Sequence, residues 1–101
     1  KAIEYYERAA NLGNSNALYN LGYCYYNGHG FEQNYTKAIE YFERAANLGN
    51  SDALINLGLC YHNGDGVKQN LTKAAEYFEL AANLGNSDAK ILLQELTDEN
   101  L

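Results

Sequence analysis

Cations, cysteines and long apolar runs are all scarce in this chain, and each scarcity removes a class of function. Only 7 Lys+Arg stand against 13 Asp+Glu, a formal net charge of −6, and no Lys or Arg adjoins another. That balance removes the attraction that supplies most non-specific nucleic-acid affinity, so DNA, RNA and anionic membrane surfaces are not expected partners. Uninterrupted apolar stretches are a few residues long, far short of the ~20 needed to span a bilayer. Cys24 and Cys60 make no disulfide pattern, and Cys60-x-His62, the one close cysteine–histidine spacing, matches no zinc motif. No metal and no other cofactor is expected. The chain also lacks an initiating Met and opens mid-pattern with Lys1-Ala2-Ile3-Glu4, so it reads as a piece of a longer chain whose targeting segment would lie elsewhere. Its 101 residues, 47% apolar, suit one soluble domain-sized unit.

What is present is a repeat. Setting 1–36 over 37–72 gives 27 identities in 36 positions without a gap, and 73–89 continues the register with 15 matches in 17. From Lys90 the copy decays: Gln94 answers Gly58, Glu95 answers Leu59 and Asp98 answers His62. A terminal repeat that faces water is expected to decay in this way.

Each period holds two helical patterns. Over Leu71–Asn83 the apolar Ala74, Tyr77, Phe78, Ala81 and Ala82 fall at i, i+3, i+4, i+7 and i+8, opposite Lys73, Glu76 and Glu79. Asn70 and Asn34 sit where an N-cap belongs, and Gly13, Gly49 and Gly85 where a left-handed terminator belongs. A second helix over Ser51–Asn63 turns Ala53, Leu57, Cys60 and Tyr61 to one face. Such pairs bury too little surface alone, so neighbours must stack. The expected fold is all-α, an α-solenoid of 36-residue antiparallel helix pairs: a lone second helix (1–14), repeats at 15–50 and 51–86, and a capping helix (87–101). Asn34-Tyr35-Thr36 and Asn70-Leu71-Thr72 are also glycosylation sequons, but capping explains both asparagines sufficiently.

One period reads Ala17, Leu21-Gly22, Tyr25, Gly28-x-Gly30-Phe31, Asn34, Lys37-Ala38, Tyr41-Phe42, Ala45-Ala46 and Gly49, and the next copy matches it from Ala53 to Gly85. This pattern resembles the Sel1-like repeat (SLR), a relative of the tetratricopeptide repeat, over essentially the whole chain. The resemblance implies a right-handed superhelix acting as an adaptor or scaffold, with no enzymatic activity. Some relatives staple each pair with cysteines; Ala46 and Ala53 stand at those positions here. Cys24 and Cys60, as repeat equivalents ~8–10 Å apart, are expected to be buried free thiols, which favours a reducing, cytoplasmic compartment.

Other chemical signals have simpler readings. Gly28-His29-Gly30 and Gly64-Asp65-Gly66 follow helices rather than strands, so they read as connections and not as phosphate loops. No Ser, Cys or Lys is paired with a base that would activate it, so no catalytic residue is expected. The informative residues are those that break the repeat. Asn16, Tyr19, Tyr23 and Tyr26, answered by Asp52, Ile55, Leu59 and His62, form one stripe of the first helices, away from the face of Ala17, Leu21, Cys24 and Tyr25. Asn20, Asn27, Asn56 and Asn63 lie beside it. By analogy with the related repeat, this stripe lines a concave groove, and tyrosine is a residue favoured at binding surfaces. Asp52, Asp88, Glu95, Asp98 and Glu99 make its C-terminal half acidic. The expected function is therefore binding of a neutral or basic protein or peptide in the groove. The rival is a spacer or self-assembling segment of a longer array, associating end to end at an open N-terminal face where Tyr5 and Ala9 lack cover.

The capping assignment is directly testable. Asn34→Ala is expected to lower stability by ~1 kcal/mol in chemical denaturation.

Overall fold

A computed structural model describes residues 2–30 and 32–99, without the side chains of Ala2, Ile3 and Glu99. Lys1 and Phe31, and the Glu99 carboxylate expected in the acidic groove, lie outside the described residues. Six helices follow one another: α1 (Ala2–Asn11), α2 (Ser15–Asn27), α3 (Tyr35–Asn47), α4 (Ser51–Asn63), α5 (Leu71–Asn83) and α6 (Ser87–Glu99). They form an all-α solenoid of 46 × 27 × 16 Å, each helix packed on its chain neighbours. The terminal copy keeps its helix to Glu99, within the expected 87–101.

The closest packing lies inside each repeat, between α2 and α3 and between α4 and α5. Glycine in mid-helix costs ~1 kcal/mol relative to alanine, so Gly22 and Gly58 need a compensating contact. They have one. A Cβ on Gly22 would lie 2.7 Å from the Phe42 ring, and one on Gly58 would lie 2.4 Å from the Phe78 ring. Each phenyl group therefore fills the notch left by a missing side chain, and Phe42 and Phe78 are fully buried. Ala38, Ala45, Ala74 and Ala81, also fully buried, keep the backbones close along the same seam. Gln94, exposed on α6, occupies the position of this glycine.

The two connection types are stereotyped. After α2 and α4 the chain turns at Gly28 (φ 74°) and Gly64 (φ 75°), whose N–H groups donate to the carbonyls of Cys24 and Cys60. Gln33 and Gln69 then donate from Nε2 to the Tyr26 and His62 carbonyls at 2.8 and 2.7 Å, tying each loop to the end of its helix. After α3 the Asn50 N–H donates to Ala45 O and Gly49 N–H to Ala46 O, the Schellman arrangement, with Gly49 at φ 87°.

Every helix from α2 to α6 begins on an asparagine whose Oδ1 accepts a backbone N–H three residues on, at 3.0 or 3.1 Å: Asn14, Asn34, Asn50, Asn70 and Asn86. Asn50 and Asn86 do more. Their Nδ2 groups reach back to the start of the previous repeat, Asn50 to Asn16 Oδ1 at 3.1 Å and Asn86 to Ser51 Oγ at 3.1 Å. One side chain thus caps its own helix and ties it to the preceding repeat.

Gly58→Ala separates helix propensity from packing. On an open helix it would stabilise by ~1 kcal/mol; against the buried Phe78 ring it is expected to destabilise by ~1–3 kcal/mol, seen as a lower urea midpoint.

Candidate functional site

Helical spacing does bring part of the expected stripe together on α2 and α4. The Tyr19 and Tyr23 rings stack with centroids 6.1 Å apart, and His29 meets Tyr23 edge-on at 6.5 Å. Tyr23 is 45% exposed, whereas Tyr19 is half-buried with its ring 5.8 Å from Phe42. The Tyr19 hydroxyl faces the next repeat, where Asp52 and Asn56 approach it. Burial first, then the Asp52 carboxylate and Tyr23, raise its pKa, and a hydrogen bond from Asn56 partly offsets them. Asn16, Asn27 and Asn63 are exposed, and Asn20 and Asn56 are half-buried beside the rings.

Other members of the stripe are occupied within the protein. Tyr26 is tilted against Tyr35 and Phe42, and its hydroxyl donates to Asp65 Oδ2 at 2.8 Å. Asp65 belongs to the loop of the following repeat, at the position of His29. Ile55 lies in the core, 9% exposed among the α4, α5 and α6 side chains, rather than on the open stripe. Asn16 and Asp52 accept from Asn50 and Asn86 respectively, the second at 3.4 Å. Asn27 donates to Tyr23 O. Leu59 and His62 line a cavity of about 90 Å³ with Leu92, Glu95 and Leu96 of α6, and His62 Nδ1 lies 3.0 Å from Asn63 Oδ1. Tyr26 and His62 therefore differ for a structural reason: one meets a loop aspartate, the other the altered terminal helix.

The cysteines divide. Both are free, as expected, but only Cys60 is buried; Cys24 is half-buried. Cys60 packs among the side chains of α2 and α3. Burial and the nearby Asp65 push the Cys60 thiol up to about 12. Among the described residues, no group of three or more His, Cys, Asp or Glu is placed to hold a metal. No described helix is long and apolar enough to cross a membrane.

A family profile described as Sel1 repeat matches residues 1–14, 15–50 and 51–86. Among solved structures, the chain is similar to a Sel1 repeat protein from Oxalobacter formigenes, 32% identical, with a TM-score of 0.88 over 92% of this chain and 38% of that one. It is also similar to c5321, a protective antigen present in uropathogenic Escherichia coli strains that displays an SLR fold. That match is 38% identical, with a TM-score of 0.82, covering 85% of this chain and 18% of the antigen. Cysteine rich protein B of Helicobacter pylori is 33% identical over 90% of this chain and 68% of its own, with a TM-score of 0.84. A comparison with curated proteins finds no match. The chain thus spans under two fifths of the first two of these structures.

The titrating groups predict an alkaline limit. Burial raises the Tyr19, Tyr26, Tyr77 and Cys60 pKa values, so the folded state holds protons that the unfolded chain releases near 9.0 for the thiol and 10.0 for the phenols. Their contribution is complete below those values and is lost as pH rises through the folded ones. The melting temperature is expected to hold to about pH 9 and to fall toward about pH 12, with a shallower fall in a Cys60→Ala, Tyr26→Phe double variant.

Proposed function

Because the chain belongs to the Sel1 repeat family, whose members are generally protein–protein interaction scaffolds, we propose that it binds a protein or peptide through the stripe of α2, α4 and α6 and catalyses no reaction. The observation that carries this reading is Tyr23. An aromatic ring at the centre of the stripe stays 45% exposed while stacked on Tyr19, a rigid amphipathic surface of the kind that anchors partners. Asn20, Asn27, Asn56 and Asn63 beside it offer hydrogen bonds to a peptide backbone. Leu59 and His62 extend the contact toward α6. Ile55 supports it from beneath, and Tyr26, Asn16 and Asp52 act on its edge with their polar atoms already engaged. Asp52, Asp88, Glu95 and Asp98 favour a neutral or basic ligand.

A second reading, a structural segment of a longer array, is favoured by one observation. Several residues that break the repeat are used between repeats: Tyr26 on Asp65, Asn16 under Asn50 and Asp52 under Asn86. In that reading α1 and the turn after it, with Tyr5 and Leu12 exposed, form the face that associates with another repeat.

Peptides selected from a random library against the chain distinguish the two. Binders are expected to be neutral or basic and to lose ~2 kcal/mol, about thirtyfold in affinity, on Tyr23→Ala, while Glu40→Ala on α3 leaves them unchanged. Selected binders indifferent to Tyr23→Ala and His62→Ala would remove the stripe as the contact surface and leave the array reading.

A further inference from the structure

The face of α4 turned away from the stripe carries a second feature. A cavity of about 500 Å³ opens between α3 and α5, floored by Leu54 and Leu57 and walled on the α5 side by Tyr77, Leu80 and Leu84. Leu80 and Leu84 are 51% and 57% exposed. Leu80 is also a departure from the repeat. Between Lys37–Ala53 and Lys73–Ala89 only two positions differ, Ile39/Ala75 and Arg44/Leu80, and α1 carries Arg8 at the latter. A solvent-facing cation in two copies has become an isobutyl group in the third, at the mouth of a cavity.

The electrostatics of this groove have one sign. Glu43 is the one charged side chain of its lining, and the charges of Glu43 and of Glu76 on α5 both act on Tyr77 of the groove wall. The cations of the two flanking helices are seated elsewhere: Lys37 over Tyr25 at 5.4 Å, Arg44 over Tyr41 at 5.5 Å and Lys73 over Tyr61 at 5.0 Å. An apolar floor between two helices is suited to a third helix laid along it, with large side chains entering at one-turn spacing. Charge favours a cationic partner over a second copy, since a chain of net charge −6 would bring an excess of carboxylates to Glu43 and Glu76.

We propose that the α3/α5 groove docks a cationic amphipathic helix of a partner protein, which lays leucine-sized side chains on Leu54, Leu80 and Leu84 and turns a Lys or Arg toward Glu43 and Glu76. This surface is separate from the Tyr23 stripe, so either can fail without the other.

The probe is a fluorescein-labelled helical peptide of Leu and Lys, about four turns long with leucines on one face, titrated with the intact chain by fluorescence anisotropy. The peptide is expected to bind, and its Leu/Glu counterpart to bind at least ~10-fold more weakly. Leu80→Ser and Leu80→Arg should each weaken binding at least ~10-fold without moving the melting temperature, because Leu80 is half-exposed. Glu43→Gln with Glu76→Gln should weaken it and flatten its salt dependence. Tyr23→Ala should leave it unchanged. The proposal is overturned by no binding, by equal binding to the Leu/Glu peptide, by a Leu80→Ser variant that binds like the parent, or by loss on Tyr23→Ala. It is overturned equally by a concentration-dependent dimer in sedimentation that Leu80→Arg abolishes, which would make a second copy the occupant.

Discussion

The interlock of Phe42 with Gly22, and of Phe78 with Gly58, is the constraint on which the solenoid depends. A helix pair of this length has little surface to bury, and the missing Cβ lets two backbones approach until a whole phenyl ring lies between them. The distance and crossing of each pair follow from that contact. So does the small size of the neighbouring residues, because Ala38, Ala45, Ala74 and Ala81 lie on the same seam and a larger side chain at any of them would push the helices apart. At the equivalent position α6 carries the exposed Gln94, where the sequence departs from the repeat.

Stacking one pair on the next uses different chemistry. The inter-repeat contacts are less extensive than those within a pair, and polar ties supplement them: the capping asparagines reach back a repeat, and Tyr26 reaches forward to Asp65. The two asparagines of these ties also serve a local need. Asn50 and Asn86 satisfy helix N–H groups that would otherwise lack partners, so the link between repeats adds no unsatisfied group. In the described structure no buried side-chain nitrogen or oxygen lacks a partner.

The chain presents two unlike surfaces on either side of α4. One is aromatic and amide-rich, with Tyr23 at its centre; the other is an aliphatic groove beside Glu43 and Glu76. Three of the scarce cations sit over tyrosine rings: Lys37 on Tyr25 supports the packing of α3 on α2, Lys73 on Tyr61 that of α5 on α4, and Arg44 covers Tyr41 of its own helix. That placement leaves the carboxylates to set the sign of the outer helices.

Helix boundaries, capping residues and the solenoid architecture were legible in the sequence because they arise from local rules repeated at a fixed period. Asn34 and Asn70 cap as their spacing implies, Gly13, Gly49 and Gly85 have positive φ, and Ser51–Asn63 and Leu71–Asn83 begin and end where their patterns do. The periodic pattern could not say how far each side chain is covered, because that depends on neighbours a repeat or more away. Ile55 and Leu59 share a stripe on a helical wheel, yet the packing of α5 and α6 buries the first more deeply. Cys24 and Cys60 are equivalent in sequence and differ in burial, Cys60 packing among side chains of α2 and α3. The Arg44/Leu80 difference was visible as a single mismatch, but only the parallel placement of α3 and α5 across α4 turned it into the wall of a groove. Sequence determined the helices and their order through local hydrogen bonding and periodicity; tertiary structure decided which repeat-breaking residues face solvent, because burial depends on contacts between repeats.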